Sequence, residues 1–449
     1  MAKTTTFRNW NHSASSTPQV VADPRNLEEL MEVVKDTATY PSPLRVGGSF
    51  HSLNACFVSE GTQILLSHFN QVRVDPEQMT VTVGASVTMI RILDVLRPFD
   101  MQTEVTPEIG NATAGSVACC GTKDASLGRS GLGQVSSTVI GVRLVNADGE
   151  VETITEESDP EKMRAVRSSY GLFGPIFEVT FRTQKQTTLS YSHESFKLTS
   201  LPDHDELFGG ADGVLGFSLP YSDRIVVERR RVLGESARIS RLSQLRRSLR
   251  DRLWENKASF FATLLPYNWF FHVLDGLIAF SLVGLSRLGG FRGWRSDSMI
   301  DFKFDRSHYF DFTFWAIPLS RWEEFIPQYV AFCRDYLRET GFRCSLGSEV
   351  YFINRDQHAL LSFSSSEDIF TMDLVDSRPN DPDWIEFNRR FNVLATRFGG
   401  RPLLNQTKQL SRDVVYQTLG EDWKRFLSYR EQNDPDGRFL SKYFRDLID

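Results

Sequence analysis

The sequence predicts an α+β protein built as two domains. Its 449 residues exceed what one hydrophobic core usually serves, so two cores are expected. The class follows from the pattern: many short strand-like segments with single amphipathic helices up to about residue 185, then a new sheet with helices on it.

In the first region, residues 26–38 (NLEELMEVVKDTA) place Leu27, Leu30, Met31 and Val34 on one helical stripe, and PSPLRVGG turns into a short strand ending in glycine. TQILLSHF and MTVTVGAS read as strands and VTMIRILDVLRPF as a helix. STVIGVRLVNADGEVETIT reads as a hairpin turning at Asp148-Gly149. The helix PEKMRAVRSS and the strand PIFEVTFRT close the region.

From about residue 186 the character changes. Ten arginines fall between Arg224 and Arg252 against the acids Glu228, Glu235 and Asp251. Residues 258–285 (ASFFATLLPYNWFFHVLDGLIAFSLVGL) are the most apolar stretch. They are long enough to span a bilayer but interrupted by Pro266, Asn268, His272 and Asp275. HYFDFTFWAIP alternates as a strand. In RWEEFIPQYVAFCRDYLRETG, Trp322, Phe325, Ile326, Tyr329, Val330 and Cys333 share one helical face. Strands are expected around SEVYFINRD, ALLSFSS and IFTMDLV. Residues 386–449 read as helix, polar loop and helix.

Composition narrows the function. With 41% apolar and 24% charged residues and a net charge of -6, the chain is an ordinary globular protein, and nucleic acid is not expected as a partner. Cys56, Cys119, Cys120, Cys333 and Cys344 form an odd set without repeated short spacings. Neither a disulfide framework nor a metal site is expected, and the compartment read from them is the cytoplasm. The first residues lack the apolar core of a secretory signal, so residue 1 is expected to belong to the mature protein.

Three segments of the first region expose backbone N–H groups through small residues. They are Gly47-Gly48-Ser49-Phe50-His51-Ser52, then Asn111 to Ala118 (NATAGSVA), and Gly171-Leu172-Phe173-Gly174. Such amides can converge on an anionic group such as a pyrophosphate. Neither the GxGxxG fingerprint nor a P-loop is present, so motif rules leave the ligand open, and a segment of this kind alone is more often a plain turn than a phosphate site.

In order and spacing, RVGGSFHSLN, PEIGNATAGSVACCGTKDAS, VIGVRLVNADGEV and VRSSYGLFGPIFEVTFR resemble the FAD-binding domain of the vanillyl-alcohol oxidase and p-cresol methylhydroxylase superfamily. Within it they are most similar to the aldonolactone oxidase and alditol oxidase branch. FTFWAIPLSRWEEFIPQYVAF, GSEVYFINRD, FGGRPLLNQTKQL and DPDGRFLSKYFRDL extend the likeness over most of the chain, excepting roughly 220–300. The resemblance implies a two-domain PCMH-type FAD-binding fold with an α+β substrate (cap) domain. The FAD-binding domain is expected at 1–185 and the cap at 186–385, with an apolar insertion at about 224–295. Residues 386–449 are expected to close the flavin site.

The same resemblance assigns residues. Gly47, Gly48, Ser49, Phe50, His51, Ser52, Thr113, Gly115, Ser116, Ala118, Gly121, Thr122 and Ile176 are expected to hold FAD, with His51 bonded covalently to the flavin 8α carbon. The alternative is a histidine that only packs on a noncovalent flavin. Relatives with a second, cysteinyl bond exist, and Cys119 and Cys120 lie in that segment, but they are read here as small buried thiols. In the superfamily a substrate C–H is placed against flavin N5 while the protein supplies orientation and charge. Glu349 falls at the acidic position of the active-site strand, and Tyr351 shares its face where sugar-alcohol relatives carry arginine. Where the branch has a lysine, this chain has Gln406. Lys408, two residues on, is expected to restore the positive charge.

These two departures argue for a less polar substrate than a polyol or sugar lactone. The activity expected is an FAD-dependent oxidoreductase that moves hydride from a small lipophilic alcohol or related C–H donor to flavin N5. The basic and apolar segment at about 236–295 suggests a membrane surface as partner and a peripheral membrane location; a buried helical hairpin with solvated flanks explains it equally. Two other readings stay open: reduction of a C=C bond in a sterol-like lipid, and a non-catalytic flavin-binding protein recruited to membranes.

Overall fold

The computed structural model describes residues 5–123, 132–233, 267–287, 291–295 and 310–449, with positions 241 and 245. Most of the arginine-rich and apolar segment before residue 267 therefore lies outside the described residues.

A short ribbon, β1 (Phe7–Arg8) with β2 (Ser15–Ser16), leads into β3 (Val20–Ala22), α1 (Leu27–Lys35), β4 (Leu44–Gly47) and β5 (Thr62–Leu65). The last three strands form a parallel sheet in the order β3-β5-β4. Asn26 caps α1 by accepting from the Glu29 amide at 2.9 Å, and Leu30, Val33 and Val34 are buried beneath the helix. The carboxyl end of β4 thus delivers Gly47 and Gly48 to a loop.

A second sheet is antiparallel. After β6 (Val72–Asp75) and β7 (Thr80–Gly84) come α2 (Met89–Leu96), β8 (Met101–Thr103) and α3 (Ala114–Cys119). Then follow β9 (Val139–Val145), β10 (Val151–Thr155), α4 (Pro160–Val166) and β11 (Ile176–Lys185). The order is β10-β9-β11-β7-β6, with β8 also on β11. β9 and β10 form the expected hairpin, with Gly149 at φ +72° in its turn.

The second half contains β12 (Thr188–Phe196), α5 (His204–Phe208), β13 (Gly213–Leu219) and β14 (Arg224–Leu233). It continues with α6 (Asn268–Arg287), β15 (Phe291–Arg295), β16 (Asp311–Pro318), α7 (Trp322–Thr340), β17 (Ser348–Ile353), β18 (Ile369–Asp376), α8 (Pro382–Arg397) and β19 (Arg401–Pro402). Its eight strands run in the order β15-β12-β14-β13-β17-β18-β16-β19. The predicted stripe of α7, Trp322 to Cys333, is buried against aromatic residues such as Phe370 and Phe391. The start of the arginine run is strand β14, where Arg230 is buried and bonded to Glu228 at 2.8 Å.

Two expectations are corrected. ALLSFSS, residues 359–365, is a turn rather than a strand. Its amides are bonded elsewhere, Leu360 to the Arg164 carbonyl and Leu361 to the Ser168 hydroxyl, while both leucines are buried. The tail holds one helix more than expected. α9 (Arg412–Asn433), kinked at Gly420 where φ is +53°, buries only Val415, Leu419, Trp423 and Phe426, a stripe too narrow to stand out in a polar segment.

The tail also returns to the first half. Trp423, Phe426, Phe444 and Leu447, on α9 and α10 (Lys442–Ile448), share a core with Val81, Leu93 and Phe181. Arg438 donates to the carbonyls of Val33 and Val34 at 3.0 Å and of Tyr40 at 2.6 Å, which fastens the C-terminal segment to α1 and the loop after it.

Candidate active site

The three small-residue segments converge on one cleft of about 560 Å³, within the roughly 300–1,000 Å³ usual for ligand sites. Gly48 lies against the second segment so closely that a Cβ there would come within 2.3 Å of Ser116 Oγ and 2.8 Å of Thr113 Oγ1. Ser49 Oγ donates to the Asn111 carbonyl at 2.5 Å. Gly174, at φ +124°, takes a backbone conformation that excludes a side chain, and it lines the same cleft. Beneath the loops, buried Arg45 donates to the Cys56 carbonyl at 2.8 Å and the Tyr170 carbonyl at 2.6 Å, tying the first segment to the third.

His51 reaches into the cleft with Nε2 3.1 Å from Asn111 Oδ1. Burial pulls its pKa down to about 4, with the Asn111 bond acting in the opposite sense, so the imidazole is neutral near pH 7. Cys56, Cys119 and Cys120 also line the cleft as free thiols, the last two with sulfurs 4.0 Å apart.

The opposite wall comes from β17. Glu349 and Tyr351 both face the cleft, and the Tyr351 hydroxyl meets Glu349 Oε2 at 2.9 Å and Glu108 Oε2 at 2.6 Å. Lys123 packs its ammonium 4.0 Å from the centre of the Tyr351 ring and pairs with Asp373. Burial pulls the Lys123 pKa down to about 8, while Glu349 and Glu108 pull it up. Burial raises the Glu349 carboxyl, Lys123 opposes that rise, and Glu108 adds to it.

Of the residues expected from sequence, Gly47 through Ser52, Thr113, Gly115, Ser116, Thr122, Ile176, Glu349, Tyr351 and Gln406 line the cleft. Ala118 and Gly121 do not line it: Ala118 is wholly buried in the core, and Gly121 packs against Leu403. Lys408 is also placed elsewhere. Its ammonium bonds the Leu53 carbonyl at 2.5 Å and Asp311 Oδ1 at 3.0 Å. The reason is local: the Gln406 and Thr407 amides both bond back to the Leu403 carbonyl, and this turn breaks the two-residue alternation that would have aligned Lys408 with Gln406.

Glu108 and Lys123 were missed. Both were visible as charged residues inside the recognised loop segments, in PEIGN and GTKD, but nothing local paired them with β17.

The remaining lining supports a bound group. Asn405 Oδ1 and Gln406 Oε1 are buried acceptors at the cleft without a hydrogen-bond partner among the described residues. N–H donors on a ligand in the cleft would satisfy them, and an isoalloxazine edge carries one. Away from the loops, the cleft is apolar, with Phe217, Phe310, Phe312 and Leu346 joined by Ile278 and Leu282 of α6.

The helix α6 has two apolar faces. Phe271, Leu274, Ile278 and Leu282 are buried, while Trp269, Val273, Leu277 and Phe280 stand 49–76% exposed on the other side. Asp275, an interruption in the apolar run, is buried and bonded to Arg343 at 2.9 Å and to the Ser222 hydroxyl at 2.7 Å. Among the described residues, no helix is long and apolar enough to cross a membrane.

Comparison with known proteins agrees with this geometry. A family described as FAD binding domain matches residues 18–155, and one described as D-arabinono-1,4-lactone oxidase matches residues 179–447. L-gulonolactone oxidase of Bos taurus is 23% identical over 98% of both chains. D-arabinono-1,4-lactone oxidase of Candida glabrata is 28% identical over 50% of this chain, and the match spans 43% of that protein. Among solved structures, cholesterol oxidase from Brevibacterium sterolicum superposes with a TM-score of 0.75 at 13% identity, covering 100% of this chain and 97% of that one. At that identity the likeness establishes the two-domain α+β fold alone.

Proposed function

The chain belongs to the D-arabinono-1,4-lactone oxidase family and is an FAD-dependent oxidoreductase, and from that premise we propose that its substrate is a lipophilic alcohol taken up at a membrane surface. When bound, FAD supplies the two-electron acceptor. The protein's part is to orient the carbinol carbon, exclude water and receive the hydroxyl proton. His51, Gly48, Ser49, Thr113 and Ser116, which line the cleft, would hold the cofactor, and the neutral His51 imidazole suits covalent attachment to the flavin.

The observation that carries the substrate class is the lining around Glu349 and Tyr351. Phe217, Ile278, Leu282, Phe310, Phe312 and Leu346 offer hydrocarbon where a polyol would need hydrogen-bond partners. The same helix supports the membrane: its inner face walls the cleft, and its outer face presents Trp269, Val273, Leu277 and Phe280. The neighbouring sequence, RISRLSQLRRSLRDR, adds positive charge suited to anionic lipid.

Anaerobic titration tests the reading. The flavin should bleach with a long-chain, isoprenoid or sterol alcohol and stay oxidised with L-gulono-1,4-lactone or a polyol. Bleaching by the lactone alone would return the chain to the polar substrates named for its relatives. Rapid bleaching by NADPH instead would favour C=C reduction.

A further inference from the structure

We propose that Glu108 and Glu349 share one carboxyl proton through the Tyr351 hydroxyl and form a relay that frees Glu349 to accept the hydroxyl proton of the substrate. A phenol has one proton to donate, yet Tyr351 Oη lies within hydrogen-bond distance of two carboxylate oxygens, Glu108 Oε2 at 2.6 Å and Glu349 Oε2 at 2.9 Å. Both contacts are bonds only if one carboxyl is protonated and donates to the phenolic oxygen while the phenol donates to the other. The shorter contact marks Glu108 as the ionised end, because hydrogen bonds to a charged oxygen are the shorter kind. The proton then sits on Glu349.

The charges around the triad agree. Besides its own two carboxyls, the triad faces the carboxylate Asp373 and the cations Lys123 and Arg230, the last 3.9 Å from Glu108 Oε1. Arg230 also serves Glu228 at 2.8 Å, and Glu228 in turn meets His193 Nε2 at 2.9 Å. Among the described residues the acids at the site outnumber the cations, and one bound proton removes that excess. Burial raises the Glu349 carboxyl in the same direction.

The relay rests on the reading of the site as an alcohol-oxidising one. Tyr351 passes its proton to Glu108 while receiving that of Glu349, so Glu349 becomes a carboxylate. The substrate O–H proton moves to Glu349 as the carbinol hydrogen and its electron pair go to bound FAD, and the C–O bond becomes C=O. The two carboxyls then hold two protons where they held one, and the second leaves to solvent. Glu349 is the catalytic base. Glu108 is a positioning residue that acts through Tyr351.

The infrared spectrum of the substrate-free flavoprotein tests this without any substrate. At neutral pH, a protonated-carboxyl band should be present, be lost in both E349Q and E108Q, and persist in Y351F, all three near-isosteric changes. A band that is absent from the wild type, or unchanged in E349Q and E108Q, overturns the proposal. If no alcohol bleaches the flavin, the substrate reading fails while the infrared result still decides the shared proton.

Discussion

His51 Nε2 stands 3.1 Å from Asn111 Oδ1, so the histidine of the first glycine-rich loop is held by a side chain 60 positions away. The bond fixes the ring before any cofactor arrives. With the pKa lowered to about 4 by burial, the imidazole stays neutral as pH falls from 8 to about 5. Covalent flavin incorporation into apoprotein, read as colour retained after acid precipitation, should be flat over that range. It should fall as pH drops through about 4, rather than through the value of about 6.5 of an exposed histidine. H51A should retain no colour, and N111A should slow incorporation by up to about tenfold, the worth of one hydrogen bond.

Gly48→Ala should cost flavin retention. The added methyl has no room between the first and second loops, where Ser116 Oγ and Thr113 Oγ1 lie 2.3 and 2.8 Å from its position. Overpacking of this kind costs about 1–3 kcal/mol. The flavin-to-protein absorbance ratio should drop about tenfold, with far-ultraviolet circular dichroism unchanged.

Arg343 and Asp275 form a buried pair that fastens α6 to the segment before β17. Arg343→Met leaves the carboxylate without its cation in an apolar setting, a loss of about 3–5 kcal/mol. Urea unfolding should report that loss, and chymotrypsin should cut at Trp269 or Phe270 in the variant before the rest of the chain. The double change D275L with R343M should recover much of the stability, since hydrocarbon can replace a buried ion pair.

The outer face of α6 predicts vesicle binding. Trp269 is 64% and Phe280 76% exposed, so W269S with F280S should alter stability by no more than about 0.5 kcal/mol. Each ring buried in lipid is worth about 1.5–3 kcal/mol, and sedimentation with anionic vesicles should weaken at least tenfold in the double variant. Wild-type protein that stays in the supernatant with every vesicle composition would remove the membrane from the picture.

Much of the fold was legible because its signals are local. The helix Trp322–Thr340 and the hairpin at Gly149 announce themselves by periodicity and turn chemistry, and the loops Gly47–Ser52 and Asn111–Ala118 by small residues in a known order. The site was legible on each wall separately but not across it. Tyr351 and Glu108 are 243 positions apart, and no spacing rule joins them. Lys408 departs from its expected place for the opposite reason: two-residue alternation would align it with Gln406, but the Leu403 carbonyl folds that segment into a turn. The exposed face of α6 was hidden as well, since an apolar run reads alike whether one side or both are covered.

The clamp made by Arg438 has a consequence for biosynthesis. The carbonyls of Val33, Val34 and Tyr40 meet the Arg438 guanidinium, and the core around Val81 and Phe181 its last side chains, only after residues 423–447 have been made. Until then the nucleotide-binding half lacks these contacts and should expose part of its apolar surface. A stop codon anywhere before Asp434 should leave it aggregated, however complete its glycine loops.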